Sequence, residues 1–142
     1  MAYIFGKGTL LQREDSPGSG TYTTVAQVRT IDGPSFDSEE IDVTNHDSPG
    51  NFREFIGGLL DAGEITGELI LDPNDGTHDA STGIYADMAA RTVREWRIRI
   101  PSTPTVDLTF DAFVKSFPLS FPSDAAITGN FTLRVSGNVT WA

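Results

Sequence analysis

The stretch "ITGNFTLRVSGNVTW", residues 127–141, decides the fold. Its odd positions read Ile127, Gly129, Phe131, Leu133, Val135, Gly137, Val139 and Trp141. Its even positions read Thr128, Asn130, Thr132, Arg134, Ser136, Asn138 and Thr140. Apolar and polar residues alternate with period 2, the mark of a strand with one face buried and one wet. At ~3.4 Å per residue the run reaches roughly 50 Å, whereas a typical strand has about five or six residues. Gly129 and Gly137 are the expected places for bulges or bends that let one strand serve two sheets.

Working outward, other segments repeat the pattern. "VREWRIRI" sets Trp96, Ile98 and Ile100 against Glu95, Arg97 and Arg99. "VDLTFDAFVK" places Leu108, Phe110, Ala112 and Val114 on one face, and "EITGELIL" places Ile65, Leu69 and Leu71 opposite Glu64, Thr66 and Glu68. Residues 22–31 and 38–43 read as strands from their β-branched content. One helix is expected over about 79–91, capped by Asp79, with Ile84 and Met88 on a shared face; Gly83 weakens it by ~1 kcal/mol. The sum is a mainly β domain with one flanking helix, most simply a two-sheet sandwich. Residues 44–63 are left as a long loop between strands. Residues 1–20 are left as a flexible Gly-rich arm with apolar Tyr3, Ile4, Phe5, Leu10 and Leu11.

The 142 residues fit a single domain, residues 1–142, with a real core. No cysteine is present, which excludes disulfides and thiolate metal sites. The N-terminus has no signal-peptide pattern. No stretch approaches the ~20 apolar residues that span a bilayer. The expectation is a soluble protein folded in a cytoplasm, with no membrane contact. A net charge of −10 argues against gripping nucleic acid. The acids are unevenly placed: residues 30–90 hold fourteen, with Arg53 as the sole base, and Arg91, Arg94, Arg97 and Arg99 follow at once. Such asymmetry can steer association between copies.

Patterns that would carry chemistry fail on spacing. His46 and His78 each precede an aspartate, but there is no cysteine and no G-x-S-x-G elbow to supply a nucleophile. In "DPNDGTHD", residues 72–79, an EF-hand register would put Gly76 at the fifth ligand position and Gly83 at the twelfth. "GKGT" lacks the phosphate-loop spacing. Glu39 and Glu40 are neighbours on a strand and point to opposite faces. No enzyme activity, metal or cofactor is implied.

The ordered set "YIFGKGTLLQRED", "TYTTVAQVRTIDGP", "EEIDVTNHDSPGNFREFIGGLLDAGEITGELILDPND", "HDASTGIYADMAARTVREWRI" and "FDAFVKSFPLSFPSDAAITGNFTLRVSGNVT" resembles the major tail tube proteins of long, non-contractile-tailed, lambda-like bacteriophages. The likeness runs from Tyr3 to Thr140. It implies a barrel-like sandwich with a flanking helix, six copies to a ring, and rings stacked into a tube through which DNA leaves. It also implies partners: further copies of the chain, a tape measure protein, a tail terminator and tail-tip proteins. The additional immunoglobulin-like C-terminal domain of some relatives is not expected here.

Under that resemblance, residues 44–63 become a joint. Phe52, Phe55, Ile56, Leu59 and Leu60 are too apolar for a solvated loop. They are expected to pack, with Arg53, on an adjacent subunit or the next ring. Asn45, His46 and Asp47 are expected to fix the entry through side-chain-to-backbone hydrogen bonds. Arg97 and Arg99 are expected to face acids of a neighbour. The acids Glu40, Asp42, Glu64 and Glu68 are candidates to line a lumen that DNA passes without binding. The competing possibility is a carbohydrate-binding or adhesive β-sandwich, which would need an exposed aromatic platform; Trp96 and Trp141 both fall on apolar strand faces.

Overall fold

The computed structural model describes residues 6–47, 49–50 and 52–142. Eleven elements follow in order: β1 (Leu10–Glu14), β2 (Tyr22–Thr24), β3 (Val28–Asp32), β4 (Asp37–Asp42), β5 (Phe55–Asp61), β6 (Glu64–Ile70), α1 (Ile84–Ala90), β7 (Arg94–Ile100), β8 (Val106–Ser116), β9 (Leu119–Ser120) and β10 (Thr128–Trp141). Two sheets form, unequal in size. One has eight strands, in the order β2-β1-β7-β8-β10-β6-β3, with β9 on the side of β10. The other is the hairpin β4–β5. The large sheet curls until β1 and β3 approach one another, without closing into a barrel.

Alternation along the strands explains the curl. Ile65, Leu69, Trp96, Ile98, Leu108, Phe110, Ala112, Val114, Phe131, Leu133 and Val135 all point inward and make one core with Leu11, Val25 and Ile84. At Gly67 an added Cβ would lie 2.4 Å from both the Phe131 ring and the Thr30 carbonyl oxygen. A side chain there would push β3 off β6, so glycine is what lets Phe131 cross beneath the sheet. Strand β10 pairs with β6 over Thr128–Arg134 and with β8 over Thr132–Trp141. Its register slips between Ser136 and Val139, where Gly137 takes φ +92°. The bulge expected at Gly137 is therefore present. Gly129 instead makes room for the Phe117 ring, 2.8 Å from where a Cβ would stand.

Four boundaries differ from the sequence expectation. The strand expected over 22–31 is broken into β2 and β3 around Gln27, which takes φ +54°. The loop 44–63 is shorter, because Phe55–Asp61 is strand β5. The helix begins at Ile84 rather than 79, after turns that the Asp79 carboxylate caps by accepting from the Ser81 and Thr82 N–H groups at 2.9 and 2.7 Å. The expected arm is in part structural: Leu10–Glu14 lies between β2 and β7, and Leu11 is 1% exposed. Tyr3, Ile4 and Phe5 lie outside the described residues. Truncating Leu11 to alanine is expected to lower stability by about 2–4 kcal/mol in urea denaturation, because the core cannot close over the gap.

Helix α1 is anchored by charge. Asp87 receives Arg13 of β1 at 3.0 Å and Arg94 of β7 at 2.8 Å, all three nearly buried. Arg13 also donates to the Thr82 carbonyl at 2.6 Å, and Arg94 to the Glu14 carbonyl at 2.8 Å. Burial pushes the Asp87 carboxyl above its ordinary range, against the pull of the two guanidinium groups.

Candidate assembly interface

The hairpin β4–β5 starts from the sheet and projects. Its root is tied by Ser35 N–H to Ala62 O at 2.9 Å, Val135 N–H to Gly63 O at 3.2 Å, and the Arg134–Asp61 ion pair at 3.0 Å. Every residue of β4 is exposed, and so is all of β5 except half-buried Gly58. Leu59 and Leu60 are each 81% exposed although they point to opposite faces. Phe55, Ile56 and Ile41 add to the same apolar surface. A two-stranded ribbon with bare apolar groups on both faces is not stable on its own terms. Exposed apolar groups in such density mark a candidate interaction surface.

The connection between the two strands is organised locally. Thr44 N–H donates to the Asp42 carboxylate at 2.9 Å, and the Thr44 hydroxyl accepts from Glu54 N–H at 2.8 Å. These Thr44 contacts hold the Asp42 carboxyl below its ordinary value, the side-chain hydrogen bond contributing most. Asn45 donates to Val43 O at 3.2 Å and accepts from Asp47 N–H at 2.8 Å. His46 and Asp47 are exposed. Past this turn Phe52 is 80% exposed, with Arg53 beside it.

A cleft of about 940 Å³ separates the hairpin root from the ends of β8 and β10. Phe36, Leu59, Leu60, Phe113, Val135 and Val139 give it an apolar lining, and Asp37, Glu39 and Asp61 give it an acidic edge. Trp141 stands near this edge, 63% exposed, its ring 6.3 Å from that of Phe36. Alternation alone had assigned it to the buried face. Val139 is the last residue of the strand that packs against the core.

The remaining candidates are distributed differently from expectation. Arg99 forks onto Asp107 of its own sheet at 2.9 and 3.1 Å. Arg97 lies over the Tyr22 ring at 4.0 Å and hydrogen-bonds Gln12. Both arginines point away from the core as expected, and within the chain their counter-charge is Asp107, 2.9 Å from Arg99 and 4.0 Å from Arg97. Arg99 holds the Asp107 carboxyl below its ordinary value. Burial and a hydrogen bond with Glu95 raise the Tyr22 phenol to about 12. Glu64 pairs with Lys115 at 2.5 Å and Glu68 with Arg29 at 3.1 Å on the polar face of the large sheet. Glu40 and Asp42 sit on the hairpin instead, so the four acids belong to two different sheets.

His78 is structural. It is buried, with Nδ1 accepting from Asp72 N–H at 3.0 Å and Nε2 donating to Ala26 O at 2.6 Å. The acids of residues 72–79 are spent on their own backbone: Asp72 accepts from Asn74 N–H and Asp75 from Thr77 N–H. Among the described residues no group of three or more His, Asp or Glu is placed to hold a metal ion. No helix among them is long and apolar enough to cross a membrane.

A core wrapped by one curled sheet, with an apolar ribbon standing clear of it, defines a mainly β protein. The chain belongs to the lambda phage tail tube protein family, whose description matches residues 7–142. Its role is that of a structural component of a phage tail tube. No curated protein matches it. Among solved structures it is similar to a chain from the tail of an empty gene transfer agent particle refined with C6 symmetry, with 24% identity over 99% of each chain and a TM-score of 0.76. It is also similar to the SPP1 tail tube protein, with 13% identity over 98% of this chain and 78% of that one and a TM-score of 0.72. A chain from the sheath/tube terminator of an extracellular contractile injection system shares the fold at 14% identity over 100% and 98% of the two chains, with a TM-score of 0.71.

Proposed function

We propose that this chain forms hexameric rings that stack into the wall of a tail tube, with the β4–β5 hairpin as the joint between subunits and the polar face of the large sheet toward the channel. The observation that carries the proposal is the hairpin with bare leucines on both faces. The protein is made soluble in the host cytoplasm and becomes part of the virion tail, where it meets a tape measure protein, a tail terminator and tail-tip proteins. Electron microscopy and sedimentation over a concentration series test this. Monomers or weak oligomers when dilute, and rings or tubes when concentrated, are expected. Monomers at every concentration, even with a tail initiator complex present, would overturn it.

The channel assignment has its own physical basis. A phosphate backbone is held mainly by Lys and Arg, so a passage for DNA needs few uncompensated bases. On the polar face Arg29, Lys115, Arg99 and Arg134 each have a carboxylate partner within about 3.1 Å. Replacing Glu64 and Glu68 with lysine removes two of these partners and costs ~0–1 kcal/mol per exposed pair. Tubes of this variant are expected to form normally but to release DNA several-fold more slowly in an ejection assay. Normal ejection would move this face to the tube exterior.

The carbohydrate-binding alternative would use the exposed Phe36–Trp141 pair. The two rings are tilted by 32° rather than forming one flat platform. Oligosaccharide quenching of Trp141 fluorescence would favour that alternative.

A further inference from the structure

The surface carries a second apolar recess, far along the chain from the hairpin. It has a volume of about 380 Å³ and lies between α1, the turn after β6 and the β8–β9 connection. Leu71, Pro73, Tyr85, Met88, Phe117 and Leu119 line it. Asp79 stands at its edge, and Asp72 and Asp75 belong to the same turn. The recess is thus an apolar socket with one carboxylate, Asp79, at its edge and two more in the turn that precedes it.

The chain also presents the complement of such a socket. Phe52 is 80% exposed near the hairpin tip, and next to it Arg53 is the only base between residues 30 and 90. Among the described residues Arg53, like Lys7 and Arg91, makes no ion pair, whereas Arg13, Arg29, Arg94, Arg97, Arg99, Lys115 and Arg134 all do. An aromatic ring followed by an unpaired cation suits an apolar recess with a carboxylate at its edge, by both shape and charge.

We infer that the recess is the receptor for a second copy of this chain: Phe52 of one subunit enters it, and Arg53 pairs with the Asp79 edge. Tip and socket are different surfaces of one molecule, so the contact is head-to-tail. Each copy gives one tip and accepts another, which propagates an assembly instead of closing a dimer. The inference rests on the tube proposal above and adds to it the docking partner of the hairpin tip.

The absence of cysteine permits a direct test. Two single-cysteine variants, Phe52→Cys and Tyr85→Cys, are mixed, assembled and oxidised. A disulfide between the two variants is expected in tubes and not in dilute monomers. It should exceed that from a control mixture of Phe52→Cys with Asp111→Cys, since Asp111 is exposed on the outer face of β8. Arg53→Glu should raise the critical concentration roughly tenfold, about 1.4 kcal/mol, while Arg53→Lys should leave it within about twofold, since Lys keeps the charge. Tubes with no excess of the Phe52–Tyr85 link overturn the inference and leave the tube proposal standing. If the variants fail to assemble, hydrogen exchange on wild-type tubes decides: slower exchange at both 52–56 and 84–90 supports it, and unchanged exchange at 84–90 overturns it. Wild-type protein that forms no tubes removes both proposals.

Discussion

Replacing Leu59 and Leu60 together with aspartate is expected to stop assembly while leaving the monomer folded. Both side chains are 81% exposed in the single chain, so almost all of their burial energy is still available to an interface. Fully burying one leucine is worth about 1.5–3 kcal/mol. Losing two removes roughly 3–6 kcal/mol per joint, or about 10²- to 10⁴-fold in association. Aspartate adds the further cost of desolvating a charge. The monomer should keep its denaturation midpoint, because neither leucine belongs to the core. Microscopy and sedimentation read the first effect, and urea titration the second. Normal tubes from the double variant would show that the hairpin is not the joint. A melted monomer would show that the leucines pack on their own domain.

The second large effect is on stability. Asp87→Ala is expected to cost about 3–5 kcal/mol, since it strands Arg13 and Arg94 as buried cations with no counter-charge. Their Nε atoms already lack a hydrogen-bond partner, so little slack exists for them to find one. The loss should appear as a lower urea midpoint and as faster exchange across Leu10–Glu14 and Arg94–Ile100, the two strands that Asp87 clamps. Asp111→Ala, on the exposed face of β8, is the control and should stay within about 0.5 kcal/mol. A loss at Asp87 no larger than at Asp111 would mean that packing at Ile84 alone holds the helix.

The contrast between those residues marks how far sequence reading reaches. Strands β6, β7, β8 and most of β10 were legible, because each is half buried and half wet and so writes a period-2 pattern into the chain. The family likeness was legible too, since it rests on ordered motifs along nearly the whole length. Strand β5 was not. With both faces exposed, "FIGGLLD" has no inside and outside to alternate between. Strand β1 was hidden for the opposite reason. Leu11, Gln12, Arg13 and Glu14 are all buried, and polar residues satisfied by distant partners look like surface in a binary pattern.

The candidate site divides in the same way. The apolar content of residues 52–60 declared by itself that something must cover them, because exposed hydrophobic groups in such density are costly in any context. Where Arg97 and Arg99 find their partners within the chain was a different matter. Asp107 and Tyr22 reach them only because β7 pairs with β8 on one side and β1 with β2 on the other. The neighbours of a side chain across a sheet are set by register, and register is settled by the whole core at once. Sequence by itself determined the β class, the family and the presence of an unfinished apolar surface, each a property of local pattern and composition. Tertiary structure alone decided which polar groups are buried, which ion pairs form, and that the unfinished surface is a projecting hairpin, because those depend on residues that are distant in sequence and adjacent only in the fold.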